Sequence, residues 1–257
     1  MDILIVCIAA LAASSLTLFS GFGLGTLLMP IIAIFFPLEL AIAMTAMVHL
    51  ANNLFKIGLL GRKADHSVLM KFGLPAVVAA FFGAAILSWL GEFQPLYEYH
   101  AFGRELQVSV LKLVIGLLII LFVALELSPA FSKISLNRKW LPFGGVISGF
   151  FGGLSGHQGA FRSMFLIKAG LGKEAFVATG VVLAVMVDLS RILIYGADIS
   201  AHSDAVNWTM VIAAIASAFA GAYLGARILG KVTIHTVQIV VSVLLAMVAI
   251  GLMVGLL

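Results

Sequence analysis

Charge is what this chain has least of. Lys, Arg, Asp and Glu together make up 10% of its 257 residues, against about 25% in an ordinary soluble domain. Such a chain cannot coat itself with polar surface, and no stretch is polar and long enough to form a separate soluble domain. Cysteine is almost absent too. The single Cys7 excludes an internal disulfide and a thiolate metal cluster and reads as small apolar filler. No metal site and no cofactor is expected. The net charge of +4 does not indicate nucleic acid, because the basic residues fall in short connections rather than on one face. The amino end, "MDILIVCIAALAASS", lacks the basic n-region of a secretory leader and carries Asp2 instead, so it reads as a first membrane helix.

What the chain has in abundance is apolar sequence, 63% of all residues. Runs near the length of a spanning helix recur from end to end, the mark of an all-α polytopic protein whose main partner is the lipid bilayer. Ten segments can be marked: 3–20, 24–36, 38–60, 72–91, 106–127, 140–156, 158–170, 174–196, 205–226 and 234–256. The second and seventh are too short to cross comfortably, and each follows a glycine-rich break.

Ten of the fifteen basic residues lie in four connections: Arg62, Lys63 and Lys71; Lys133, Arg138 and Lys139; Lys168 and Lys173; Arg227 and Lys231. The intervening connections 92–105 and 197–204 hold only Arg104. The bias places the basic connections in the cytoplasm and both termini outside a cell (cytoplasmic) membrane. Parity then makes 140–156 with 158–170 a hairpin, either two spans or a re-entrant pair, and the same holds for 3–20 with 24–36.

The chain thus becomes five segments plus five, with the second set entering in the opposite orientation. At an offset of 135, Ser20-Gly21 aligns with Ser155-Gly156, Asn53 with Asp188, Lys56 with Arg191 and Gly61 with Gly196. Thr45 and Thr179 match with a slip of one residue. The expected organisation is a first repeat over 1–128, a cytoplasmic linker over 129–139 and a second repeat over 140–257. Inverted repeats with broken helices are the architecture of many secondary transporters, which hold substrate near the midplane at the breaks.

Four basic residues fall within the spans: Lys56, Lys112, Arg162 and Arg191. Each would cost about 2.5–3.5 kcal/mol facing lipid at a helix centre. Lys112 lies about six residues into its segment, close enough to the outer surface to snorkel. Lys56 sits near a cytoplasmic end, where snorkelling and a pathway role both fit; it shares a helix face with Thr45, His49 and Asn52. Asn52-Asn53 also suits interhelical hydrogen bonding. Asp188 and Arg191, three apart, can pair with each other. Arg162 lies in the short half-helix just after "SGHQG", a turn from His157 and Gln158, and is the hardest to explain without a ligand. A half-helix beginning inside the membrane presents unpaired N–H groups and a partial positive charge, and glycines let a ligand approach them. An electropositive interior of this kind selects small anions.

"Gly153-Leu154-Ser155-Gly156" resembles the GxSG motif of rhomboid intramembrane proteases. That chemistry needs a histidine on a later helix within reach of the serine. His157 is adjacent and differently directed, and His202 and His235 lie in or beside connections.

Nearly the whole chain resembles the sulfite exporter TauE/SafE family of membrane transporters. The first glycine-rich element reads "GFGLGTLLMP", with Gly21, Gly23, Gly25, Leu27 and Pro30, followed by Ala41 and Thr45. The second, "GHQGAFRSMF", keeps Gly156 and Gly159, then Ala175 and Thr179. His157, Gln158 and Arg162 stand where many members have glycine or aliphatic residues, and the second element lacks the proline. The run "SGHQGAFR…KEAFVATG…VDLSR" looks like a branch near TauE itself. The resemblance implies movement, outward, of sulfite or a sulfur-containing organic anion such as a sulfonate.

The expectation is a transporter, not an enzyme, working by alternating access on a small anionic substrate. Ser20, Gly21, Gly23, Gly25, Thr26, Ser155, Gly156, His157, Gln158, Gly159, Arg162 and Arg191 form the expected binding set. His49, Asn52, Lys56 and Asp188 are the pathway candidates, with His157, His49 or Asp188 able to couple a proton. A passive anion channel of the same fold is the alternative, and a non-transporting scaffold or an intramembrane serine protease lies further off. Coupling ion and homodimer formation are left open by the sequence.

Overall fold

The computed structural model describes residues 2–20, 24–101, 103–132, 134, 136–167, 169–201, 206–228 and 234–257. Ten principal helices account for almost all of them. They are α1 Asp2–Ser20, α2 Leu24–Ile32, α3 Leu38–Leu60 and α4 His66–Gly91, the last with a π turn at Leu69–Gly73. After a β-hairpin come α5 Val110–Leu127, α6 Leu141–Ser155, α7 Gly159–Leu166, α8 Lys173–Ala201, α9 Trp208–Ile228 and α10 Ile234–Met253. Segments of four of them, Leu38–Gly58, His66–Gly91, Lys173–Gly196 and Trp208–Gly225, are long and apolar enough to cross a bilayer by themselves. Exposed Leu, Ile, Val and Phe side chains such as Val78, Phe82, Leu117, Leu193, Ile212 and Ile250 cover the outside. A soluble protein could not afford that surface, whereas lipid accepts it. This is an all-α polytopic membrane protein.

The helices pair in a regular way. α4 lies along α6 and α1 lies along α9, while α3 crosses α8 and α5 packs on α10. Exchanging the first five helices with the last five maps each of these pairings onto another or onto itself. Glycine makes the two long contacts close. A Cβ at Gly145, Gly149 or Gly153 of α6 would overlap the backbone carbonyls of Phe72, Ala76 and Ala80 on α4. On the other side Gly221 and Gly225 of α9 meet the backbone of Leu11 and Ser15 on α1. With no hydrophobic force between helices in lipid, such backbone-to-backbone packing is what holds them. Glycines four apart along 145–153 and 221–225 were a readable signal for it.

Contacts at the helix ends define two faces. On one, Lys63 pairs with Glu174 at 2.6 Å, Arg138 lies 3.7 Å from Asp65, and the Asp65 N–H donates to Thr179 Oγ1 at 2.8 Å. On the other, Tyr99 donates to the Val254 carbonyl, and Glu39 lies against Gly91. The short helices do not cross between these faces. α7 has eight residues and α2 nine, about 12–14 Å of helix against a hydrocarbon core of about 30 Å. The Leu136 N–H donates to the Met164 carbonyl at 3.3 Å, so α7 returns to the face where α6 began. The break at 156–158 therefore belongs to a re-entrant hairpin.

Several expected boundaries need correction. The connection 92–105 carries strand: Tyr97–Ala101 and Arg104–Val108 form an antiparallel hairpin, β1–β2, registered Tyr97 to Val108 and Ala101 to Arg104. Residues 106–108 consequently belong to a strand, and α5 starts at Val110, capped by the Ser109 hydroxyl. Lys112 is then the third residue of its helix, and its Nζ donates to the Gln107 carbonyl at 3.2 Å. The connection 197–204 is helical as far as Ala201, and α4 begins at His66, so Lys71 lies inside its π turn.

Candidate functional site

The deepest polar residues meet where α3 crosses α8, halfway along both helices. His49 Nδ1 lies 2.6 Å from Asp188 Oδ2, and Arg191 Nε donates to Asp188 Oδ1 at 3.0 Å. Asp188 is 0% exposed and Arg191 1%, and charges so deeply buried persist only when paired. A carboxylate only accepts, so His49 Nδ1 carries the hydrogen. The Asn53 amide nitrogen lies 3.2 Å from each of its ring nitrogens. The spacing of 188 and 191 announced their pairing; nothing local announced His49, which stands on the other half of the chain.

Asn52 and Lys56 extend this polar face along α3. Ser14 of α1 holds Asn52 at 3.2 Å. With its amide turned to match its neighbours, Asn52 accepts from Lys56 Nζ at 3.1 Å and donates to the Ala218 carbonyl of α9 at 3.3 Å. Lys56 is 5% exposed, so it does not snorkel. Its charge is felt by Arg162.

The break between α6 and α7 meets this crossing from the side. Gly156 ends α6 in the left-handed region at φ 81°, and a Cβ there would sit 2.8 Å from Arg191 Nη1. The site needs glycine on both counts. The left-handed turn also swings His157 back. Its Nδ1 lies 3.0 Å from the Ser155 carbonyl and 3.2 Å from Ser155 Oγ, which corrects the expectation that the ring is directed away. The carbonyl requires a hydrogen on Nδ1, so that nitrogen cannot serve as a base toward Ser155, whose hydroxyl donates to the Phe151 carbonyl at 3.2 Å. The His157 ring stacks on Phe122 of α5, centroids 5.1 Å apart and planes 4° apart, and Phe151 and Phe161 complete an aromatic wall.

The Gln158 carbonyl is held by the Ser148 hydroxyl at 3.0 Å and accepts the Arg162 N–H at 3.1 Å. Arg162 leans on α8, where a Cβ at Gly180 would lie 3.6 Å from its Nε. It is attracted electrostatically by Asp188. Gly159 opens α7. In the first half, Gly25 and Thr26 lie buried in the first turn of α2, and a Cβ at Gly25 would lie 3.6 Å from Thr45 Cγ2. Gly21 and Gly23 lie outside the described residues, as does the side chain of Ser20. Thr179, the counterpart of Thr45, is spent on the Asp65 backbone near the basic face.

Among the described residues, the buried side-chain atoms without a hydrogen-bond partner are Thr45 Oγ1, His157 Nε2, Gln158 Nε2, Arg162 Nη1, Arg191 Nη2 and, on α10, Ser242 Oγ. Arg191 Nη2 lies 2.8 Å from Asp188 Oδ1 but off the direction of a hydrogen bond. Buried polar atoms are rarely left so, and here five of six sit around one crossing. Gln158, Arg162 and Arg191 offer only N–H groups there, and the Thr45 hydroxyl can donate as well. Charge agrees with chemistry: Lys56, Arg162 and Arg191 against Asp188. Sequence reasoning put Thr45 on the polar face of α3 and Asn53 opposite Asp188 in the repeat without counting either in the site, and it missed Phe122 and Tyr195. Tyr195, which donates to the Gly153 carbonyl beneath the break, could have been found from its i+4 place after Arg191.

A polytopic helical protein with a re-entrant half-helix beside a buried cationic centre has the form of a membrane transporter. The chain belongs to the sulfite exporter TauE/SafE family, whose model matches residues 6–252. That membership makes it a transmembrane transporter of sulfur-containing anions. No curated protein and no solved structure matches the chain.

Proposed function

We propose that the α3–α8 crossing and the 156–158 break together bind a small sulfur oxyanion, sulfite or an organosulfonate, and carry it outward across the cell membrane by alternating access. The observation that carries this reading is the convergence of unspent N–H donors from Gln158, Arg162 and Arg191. Oxyanions supply several acceptor oxygens at once, and guanidinium groups match them with directed, charge-assisted bonds. Asp188 and the hydrogen-bonded amides around the site orient those donors, while Gly25, Thr26 and Thr45 form the opposite wall. Helix pairings of the two halves support an inverted repeat with boundaries at 1–128 and 140–257. The basic residues at one face support the cytoplasmic assignment of that face, with both termini outside.

Arg162→Ala tests the reading. It should weaken sulfite binding by about 10- to 100-fold, the equivalent of one or two charge-assisted bonds, and stop uptake by inverted proteoliposomes while the protein still inserts and folds. Binding is read as thermal stabilisation by a panel of sulfite, sulfate, methanesulfonate, taurine and small carboxylates. Wild-type flux through the variant would overturn the proposal.

A further inference from the structure

The anion reading above uses Arg162 and Arg191 and leaves Lys56 idle. Resting on that reading, we infer that Lys56 and Arg162 form a second subsite next to the first, which takes a second acidic group on the substrate. Lys56 is then the residue that favours a two-ended anion over a monosulfonate.

The placement follows from how α3 and α8 run. His49 meets Asp188, and Lys63 meets Glu174 at the basic face, so the two helices are antiparallel. Lys56 stands seven residues beyond His49, and Gly180 eight residues before Asp188. At 1.5 Å per residue, both lie about 10–12 Å from the crossing toward the basic face. Arg162 leans on α8 at that level, its Nε 3.6 Å from where a Cβ of Gly180 would be. Arg162 thus stands between two neighbours: Asp188 attracts it on one side, and its charge reaches Lys56 on the other.

Lys56 is not reaching for water. A lysine this near a helix end can snorkel by extending toward the surface. Its Nζ instead meets the Asn52 amide at 3.1 Å, one turn back toward the middle of the membrane. An ammonium has three hydrogens to give, and the Asn52 oxygen takes one.

No fixed charge answers this pair. Asp188 is spent on His49 and Arg191. Toward the basic face, Asp65 and Glu174 are taken by Arg138 and Lys63. Among the described residues no acid stands between Lys56 and Arg162, and Arg162 Nη1 has no hydrogen-bond partner. Neighbouring buried cations are costly until an anion lies between them. An oxyanion held by Gln158 and Arg191 fills the first position. A second acidic group, joined to it by a short carbon spacer, extends toward Lys56 and answers the remaining charge.

The test compares propane-1-sulfonate with ethane-1,2-disulfonate, which are similar in length and differ by one charge that does not titrate near neutral pH. Binding is measured by calorimetry on purified full-length protein at constant ionic strength. Wild type should bind the disulfonate more tightly by about 10- to 100-fold, the yield of one charge-assisted bond. Lys56→Gln keeps a donor for Asn52 without the charge, and should bring the ratio of the two Kd values close to one. Lys56→Met is the second uncharged variant should the amide fail to fold, and Lys56→Arg should restore the ratio. A wild-type ratio near one, or a ratio unchanged in the uncharged variants because both probes weaken alike, would overturn the subsite while leaving the anion site intact. Sulfite binding with neither sulfonate bound would do the same. Failure of wild type to bind sulfite or either sulfonate would remove the anion reading, and this subsite with it.

Discussion

At the scale of single residues, the site depends on groups that have no freedom to be anything else. Gly156 combines a left-handed backbone with a guanidinium where its side chain would be. Gly156→Ala should cost about 1–2 kcal/mol in backbone strain and push Arg191 aside, so that thermal unfolding falls modestly while stabilisation by sulfite largely disappears. Asp188→Asn should behave differently: with its countercharge gone, Arg191 is left buried and unpaired, at a cost of about 3–5 kcal/mol. Unfolding of that variant should therefore drop with or without ligand. Sequence spacing was enough to pair Asp188 with Arg191 and to single out Arg162, because both arguments are local. The partnership of His49 with Asp188 spans 139 positions and depends on how two helices cross, which no periodicity encodes. The orphaned donors were equally invisible, since a side chain's unspent hydrogens are known only once its neighbours are.

Helices and breaks were the easiest part to read, because hydropathy over roughly twenty residues is set by the bilayer rather than by neighbours. The hairpin β1–β2 escaped for the same reason in reverse. Its "YEYHA" and "RELQV" strands are half polar, and Leu106 and Val108 were absorbed into the apolar run of α5. The glycines of α6 permit a direct prediction at this scale. Gly149→Val must separate α4 from α6 and should destabilise by at least about 1–3 kcal/mol, measured by unfolding in detergent. Gly58 of α3 is the control: a Cβ there meets nothing within 4 Å. Gly58→Ala should be neutral or stabilising by about 0.4–1 kcal/mol. If both variants behaved alike, close helix approach would not be what holds these elements together.

Across the whole molecule, the two halves touch at the basic face through Lys63 with Glu174 and Asp65 with Arg138. These pairs are exposed, and each contributes no more than about 1 kcal/mol, so they can part readily. The alternating access proposed above requires that they do. With Cys7 replaced by Ala, a cross-link between cysteines at 63 and 174 should halt transport and a reductant should restore it. Full flux through the cross-linked protein would mean that the halves do not separate there.

The lone carboxylate among three buried cations also sets how the machine feels an electric field. A singly charged ion adds one negative unit to the occupied form, and a doubly charged ion adds two. For each unit, 100 mV of inside-negative potential favours exit by about 2.3 kcal/mol, so under the proposed anion reading the resting potential alone would give the passage of such an ion a direction.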